Sequence, residues 1–279
     1  MKKMDISKKD IVSDLLALGL KDKRVVVHSS LSSIGYVNGG AKTVVQALLE
    51  VCKTVMMPAF CWDSVTYPPT GDYPKENGCD YRYYDNWDKP SIPFILKNMG
   101  IEKSLGRIPA EFLKFSNVNR SNHGWHSWAS YGENSKDIIS NHLWGTTNTP
   151  LERLLQFSGS FVLMIGTTLS SCTAIHVAEE MAGREPFIRW VVDENGNNKR
   201  VRASGCGKGF HKIEKYCEKY IKRGTIGASS SMLVDLNELI LCAKNEIVKN
   251  PEVTRCNDSC IRCEDTIKKG IYNLRKKEC

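Results

Sequence analysis

Three short apolar, β-branched runs, Arg24–His28, Thr54–Met57 and Phe161–Ile165, are each closed by turn residues, and a segment with helical spacing separates the first two. Strands that alternate with helices cannot be joined by tight hairpins. They line up instead as a largely parallel sheet whose faces the helices cover. Residues 7–20 supply one helix, with Ile11, Leu15 and Leu18 at helical spacing and Gly19 as its stop. Ala41–Cys52 supplies a second, and Pro58 ends the strand that follows it.

Between residues 59 and 90 this pattern breaks down into a stretch with four prolines, many aromatics and many acids. A loop of that length inside a compact domain is uncommon and usually functional. Regular elements return near 93–99, 136–142 and 150–157. A hairpin is expected where Phe187–Val192 and Lys199–Ala203 flank Asn195-Gly196. Helices are expected over 210–223 and 232–248. The sequence holds no repeat and no low-complexity linker. The expected organisation is therefore one domain over 1–250, with an irregular insertion at 59–90 and a cysteine-rich tail over 251–279.

A chain of 279 residues can bury a full core. Its apolar runs are too short to cross a bilayer and no leader pattern opens it, so the expectation is cytoplasmic, with neither membrane nor nucleic acid as a partner. Eleven cysteines, odd in number and mostly isolated, read as reduced thiols. The net charge of +8 is uneven. Lys199–Arg223 carries nine basic residues against Glu214 and Glu218, whereas Cys61–Pro90 is net acidic. Such stretches attract phosphorylated and cationic ligands respectively, or are simply solvated surface.

Four segments carry chemistry. In Thr173–Glu180, His176, Glu179 and Glu180 share one face of a helix that starts just after a strand end. An imidazole beside carboxylates is what a general base needs, although a solvated surface helix has the same pattern. In Val25–Gly35 a strand delivers His28, Ser29, Ser30, Ser32 and Ser33 into a turn, and Gly39-Gly40 precedes the next helix. Small hydroxyls and free amides at such an edge suit a phosphate or pyrophosphate, but the P-loop spacing is absent. Arg120–Ser127 packs an arginine, two histidines and two serines into eight residues, enough to line a ligand groove, with no further ligand at metal-site spacing. Cys256, Cys260 and Cys263 have the spacing of the iron–sulfur loop of radical S-adenosylmethionine enzymes. That loop comes early in those enzymes, while sixteen residues follow it here. A small zinc site that also uses Cys279, or three unrelated thiols, are the other readings.

Taken together, the blocks "VVVHSSLSSIGYVNGGAKTVVQAL", "TVMMPAF", "GRIPAEFLKFSNVNRSNHGWHSWASYG" and "TPLERLLQFSGSFVLMIGTTLSSCTAIHVAEE" resemble the aminoglycoside 3-N-acetyltransferase family, in the family's order. A weaker fifth block pairs "SGCGKGFHKIEKY" with "GTIGASSSMLVDL". The resemblance implies a three-layer α/β/α sandwich around a central mixed sheet. It also implies transfer of an acetyl group from acetyl-coenzyme A, as co-substrate, to the 3-amino group of an aminoglycoside, with no metal required for catalysis. It assigns His28, Ser29, Ser30, Ser32, Ser33, Arg120, Ser121, His123 and Ser127 to coenzyme A, and makes His176 the base. Glu179 is our choice for its acid partner. Asp63, Tyr67, Asp72 and Glu180 are the expected substrate contacts, because the acidic, aromatic loop suits a polycationic sugar. This chain departs from the family at Gly124, where a proline is usual, and at Ser171-Cys172, where an acid and an amide are frequent. An acid of the family's fifth block has no sure counterpart around Ser204–Cys206. The alternatives are the same chemistry on an amino sugar, nucleotide or cell-wall precursor, a metal or iron–sulfur protein built on the tail, and a non-catalytic binding module. The oligomeric state is not legible.

Overall fold

The computed structural model describes residues 5–83 and 91–277. A short strand, β1 (Asp5–Ile6), leads into α1 (Lys8–Leu18). A capping box starts that helix: the Asp10 N–H donates to Ser7 Oγ, and the Ser7 N–H donates back to the Asp10 carboxylate. Gly19 ends it in the left-handed region, at φ 96°. Next come β2 (Arg24–Ser29), α2 (Leu31–Ile34), β3 (Tyr36–Val37), which pairs with β1, then α3 (Gly40–Val51) and β4 (Thr54–Pro58).

The expected insertion is indeed mostly irregular. It holds β5 (Val65–Thr66) and a 3₁₀ turn at Tyr81–Tyr83 among its described residues. The element expected over 93–99 reduces to the 3₁₀ turn Leu96–Asn98. After α4 (Arg107–Phe112), the chain forms β6 (Asn119–Arg120), β7 (Trp128–Gly132), α5 (Ser135–Ile139) and α6 (Thr149–Leu154). It continues through β8 (Ser160–Ile165) into α7 (Ala174–Met181). The expected hairpin is present as β9 (Phe187–Val192) and β10 (Asn198–Ala203), in register from Asn198 opposite Val192, with β5 as a third strand.

The helices expected over 210–223 and 232–248 are corrected by the structure. Only α8 (Glu214–Cys217), flanked by 3₁₀ turns, is helical in the first. The chain then runs as β11 (Ile221–Ile226), turns at Gly227, and returns as β12 (Ser229–Asp235). The second helix, α9 (Leu236–Lys249), starts where the Asp235 carboxylate accepts from the N–H groups of Asn237 and Glu238. The last helix is α10 (Ile261–Lys277).

Seven strands form the central sheet in the order β11-β12-β8-β2-β4-β7-β6. The middle three, β8, β2 and β4, are parallel, and the strands outside them are antiparallel, so the sheet is mixed. Alternation along the parallel strands sends side chains to two separate cores. Val25, Val27, Val55, Met57, Leu163 and Ile165 pack with α1, α3 and α4 residues such as Leu15, Leu48 and Phe112. Val26, Met56, Val162 and Met164 pack on the opposite face with Leu151, Ile175, Phe210 and Ile240. These two cores with the sheet between them make the three-layer α/β/α sandwich. Among the described residues, no helix is long and apolar enough to cross a membrane.

Candidate active site

Parallel pairing is what assembles the site. In β2 and β8, His28 lies opposite Met164 and Ser29 opposite Ile165, so the C-terminal ends of the two strands emerge side by side. The serine turn follows the first, and the turn into α7 follows the second. Ser30 N–H donates to Ile165 O at 2.8 Å, which joins the two. Gly166 makes this contact possible. It sits at φ 62°, and a Cβ there would lie 1.9 Å from Ser33 Oγ.

On α7, His176 and Glu179 meet as the spacing predicts. Nδ1 of His176 lies 2.6 Å from Glu179 Oε2, and the imidazole edge packs on Phe210 with centroids 4.7 Å apart. Glu179 is buried, and its other oxygen accepts from Arg184 at 2.5 Å. Arg184 also donates to Thr254 Oγ1 at 2.7 Å and to the Pro251 carbonyl. Burial pushes the Glu179 carboxyl up, but its hydrogen bonds and charge contacts with His176 and Arg184 outweigh this and hold it below the usual value. An ionised Glu179 fixes the imidazole proton on Nδ1 and leaves the Nε2 lone pair to act.

His176 opens onto a cavity of about 570 Å³. Trp62, Trp125, His126, Ser204 and Arg262 are among the side chains of its wall. His126 stacks on Phe60 at 4.6 Å, and burial holds its imidazole well below the ordinary value, so it is neutral. None of His28, Ser29, Ser30, Ser32 and Ser33 lines this cavity. The link between them is Gly106, which follows the lining residues Glu102 and Leu105 and where an added Cβ would lie 3.9 Å from the Ser29 carbonyl. His28 Nε2 and Ser29 Oγ are buried at the strand end with no hydrogen-bond partner among the described residues. Buried polar atoms are rarely left so unless a ligand or water serves them.

The other expected contacts are placed differently. The Arg120 guanidinium donates to Ser127 Oγ and to the carbonyls of Met99, Ala59 and Gly100. Ser121 Oγ lies 3.0 Å from His142 Nδ1, and His123 Nδ1 accepts from the N–H groups of Trp125 and His126. This cluster therefore shapes the loop that presents Trp125 and His126 to the cavity. Arg120 and Ser121 also line a second hollow of about 670 Å³. Asp63, Tyr67 and Asp72 lie outside the lining of the His176 cavity. Asp72 is held by Arg200 and by Trp190 Nε1, the latter at 2.8 Å, and Asp80 is paired with Arg82. The net charge of a loop does not reveal which of its acids already have partners. Asp85 and Asp88 lie outside the described residues. Glu180 does stand beside the site, in a small hollow shared with His176 and Glu179.

Sequence reasoning missed His126, Arg184, Ser204, Gly205 and Arg262. His126 sat within a block already singled out. Arg184 lies three residues beyond α7, off the helical spacing, while Ser204, Gly205 and Arg262 come from segments remote in sequence that only the fold brings to α7. Cys172 is buried and its thiol is pushed up to about 12 by that burial. A different set of thiols does converge: Cys206 joins Cys256, Cys260 and Cys263, whereas Cys279 lies outside the described residues.

Comparison with known proteins places these features in context. The sequence model of the family described as aminoglycoside 3-N-acetyltransferase matches residues 26–247. The SPbeta prophage-derived aminoglycoside N(3')-acetyltransferase-like protein YokD of Bacillus subtilis (strain 168) is 31% identical over 266 residues, covering 88% of this chain and 93% of that protein. Its crystal structure superposes with a TM-score of 0.77 at 27% identity, over 89% of this chain and 96% of the other. An aminoglycoside N(3)-acetyltransferase III of Salmonella sp is 33% identical over 195 residues, or 67% of this chain and 65% of that one.

Proposed function

Because the chain belongs to the aminoglycoside 3-N-acetyltransferase family, a family of acyltransferases, we propose that it moves the acetyl group of acetyl-coenzyme A to the 3-amino group of an aminoglycoside, by direct attack and with His176 as general base. The observation that carries this reading is the His176–Glu179 hydrogen bond of 2.6 Å beside a cavity large enough for a sugar ring. Sugar amines are largely protonated near neutral pH, so a positioned base is worth roughly 10²–10⁴ in rate.

His176 Nε2 takes the amine proton as nitrogen attacks the thioester carbon and the carbonyl becomes an oxyanion. Glu179 stabilises the resulting imidazolium. Collapse of the tetrahedral adduct breaks the carbon–sulfur bond, and the imidazolium returns the proton to the departing thiolate. The products are the acetamide and free coenzyme A. Backbone N–H groups of the serine turn are the oxyanion donors in this scheme. The same turn, His28–Ser33, carries coenzyme A, and its unpartnered His28 and Ser29 atoms support that assignment. Direct transfer is supported by the burial of Cys172, four residues before His176, which keeps that thiol protonated and outside the cavity lining.

One observation favours a second acceptor class. Among the described residues, the cavity wall carries Arg189 and Arg262 against one acid, Glu102, a lining that suits an amine bearing an anionic group, such as a phosphorylated amino sugar. Acetyl-coenzyme A turnover followed by mass spectrometry tests both readings, using gentamicin, kanamycin, neomycin, glucosamine and glucosamine phosphate. We expect acetylated aminoglycoside from the wild type, and a loss of about 10²–10⁴ in kcat for His176→Ala. Turnover of glucosamine phosphate alone would move the acceptor to the second class. A fully active His176→Ala enzyme would remove the base.

A further inference from the structure

Cys206 lies just after β10, Cys256 and Cys260 lie in the segment before α10, and Cys263 lies in the first turn of α10. The four Sγ atoms all fall within 4.8 Å of one another. Cys206 and Cys256 are 3.8 Å apart, and Cys256 and Cys263 are 3.6 Å apart. A disulfide would need about 2.05 Å. Four thiolates held at about 2.3 Å from one tetrahedral ion sit roughly 3.8 Å from each other. The arrangement is thus that of a one-ion site, and an iron–sulfur cluster, with several irons inside, would spread the sulfurs further.

We propose that Cys206, Cys256, Cys260 and Cys263 bind one structural zinc ion, which clamps the C-terminal segment onto the wall of the acceptor cavity. Binding converts the four thiols to thiolates, releases their four protons and leaves the site with a charge of −2. The surroundings fit that charge. Cys256 N–H points at Cys263 Sγ at 3.5 Å, Asn257 Nδ2 lies 3.5 Å from Cys256 Sγ, and Arg262 stands between two of the ligands in sequence. With all four positions filled by protein sulfur, the ion has no place for water or substrate, so its work is structural.

The fold shows why a clamp is needed. Over 261–270, Cys263 and Ile267 are the only buried apolar residues that α10 offers, and they form a small core with Cys206, apart from the two large ones. That is little apolar area to hold this half of the helix. Yet this segment carries Arg262, which lines the cavity and donates to the Ser204 and Gly205 carbonyls, and Asp265, whose carboxylate accepts from Gly78 N–H at 2.8 Å. Cys206 follows Ser204-Gly205 directly. Zinc would therefore hold both sides of that wall, without touching the acetyl transfer itself.

The test is the metal content of the full-length protein, purified under reducing conditions without chelator. We expect one zinc per chain in the wild type and in Cys79→Ser, and background zinc in Cys206→Ser and Cys260→Ser. Both of these variants should also be cut faster by trypsin within the C-terminal segment. Should the variants fail to fold, the wild type still decides: blocking its thiols with a mercurial should release one zinc into a chromogenic chelator. Iron in place of zinc, absence of metal with no zinc uptake, or full zinc retention by Cys206→Ser would each overturn the proposal.

Discussion

Glu180 sits one position beyond the proposed acid partner of His176, yet its environment is the opposite. Burial pushes its carboxyl up to about 7, with Asn148 as its hydrogen-bond partner at 2.6 Å. Glu179, more deeply buried, is nevertheless held down by His176 and Arg184. Two adjacent carboxylates thus divide between a fixed charge and a titrating one. If Glu180 meets an ammonium group of the acceptor, attraction switches on as pH rises through about 7. We therefore expect KM for a cationic acceptor to fall severalfold between pH 6 and 8 in the wild type, beyond the change set by the amine itself. Glu180→Gln should remove that extra dependence while keeping kcat. Identical KM profiles for the two proteins would exclude Glu180 from the acceptor site. The His176–Glu179 pair was legible in the sequence because helical spacing of three residues enforces it. The split between Glu179 and Glu180 was not, because it is made by Arg184 and Asn148, which no spacing rule connects to them.

Beyond its packing on α9, α7 is tied to the turn after α9 by a buried guanidinium. Arg184 joins Glu179 to Thr254 and the Pro251 carbonyl, so its removal leaves a buried carboxylate without its guanidinium partner. Breaking such a pair from one side costs about 3–5 kcal/mol. Urea unfolding of Arg184→Ala should register that loss together with a drop in kcat, whereas a change below about 1 kcal/mol would mean that water replaces the guanidinium at little cost. The elements themselves were unevenly readable. α1 and α3 follow from the helical spacing of one buried face and the stop at Gly19, whereas β2, β4 and β8 follow from short continuous apolar runs buried on both faces and, for β4, from the stop at Pro58. The β11–β12 hairpin was mistaken for parts of two helices. Its outer strand, Ile221–Ile226, is mostly polar, and its partner runs directly into α9 with no break beyond Asp235. The strand state there is imposed by pairing with β8, a tertiary effect that overrides local preference. The convergence of Cys206 with the tail thiols is likewise set by the β9–β10 hairpin and not by cysteine spacing.

Acid should loosen this molecule well before ordinary carboxylate titration. Burial pushes His28 and His142 down to about 4 and His123 to about 3, the last helped by the nearby charge of His142, and His126 is also shifted well down. In the unfolded chain these imidazoles protonate near 6.5, so the unfolded state takes up protons first. Native stability is intact above that pH and is lost as pH falls toward 4. His28 alone accounts for on the order of 3 kcal/mol at the bottom of that range. Glu180 runs the other way, since a raised carboxyl favours the native state as pH falls, but it is one group against four. We expect Tm to drop steeply between pH 6.5 and 4.5, and a flat profile there would show that these rings are wetter than their packing implies. The parallel ladder between β2 and β8 has a further consequence, in time and not in energy. Arg24 pairs with Ser160, and β8 in turn pairs with β12 at Ser231. Contacts so distant along the chain are slow to form. During synthesis the serine turn emerges early and waits until β8, Ser160–Ile165, before its neighbour strand arrives. A ribosome that stalls before β8 has made a chain whose serine turn lacks its partner strand, so the turn proposed to carry coenzyme A is completed only once β8 has emerged.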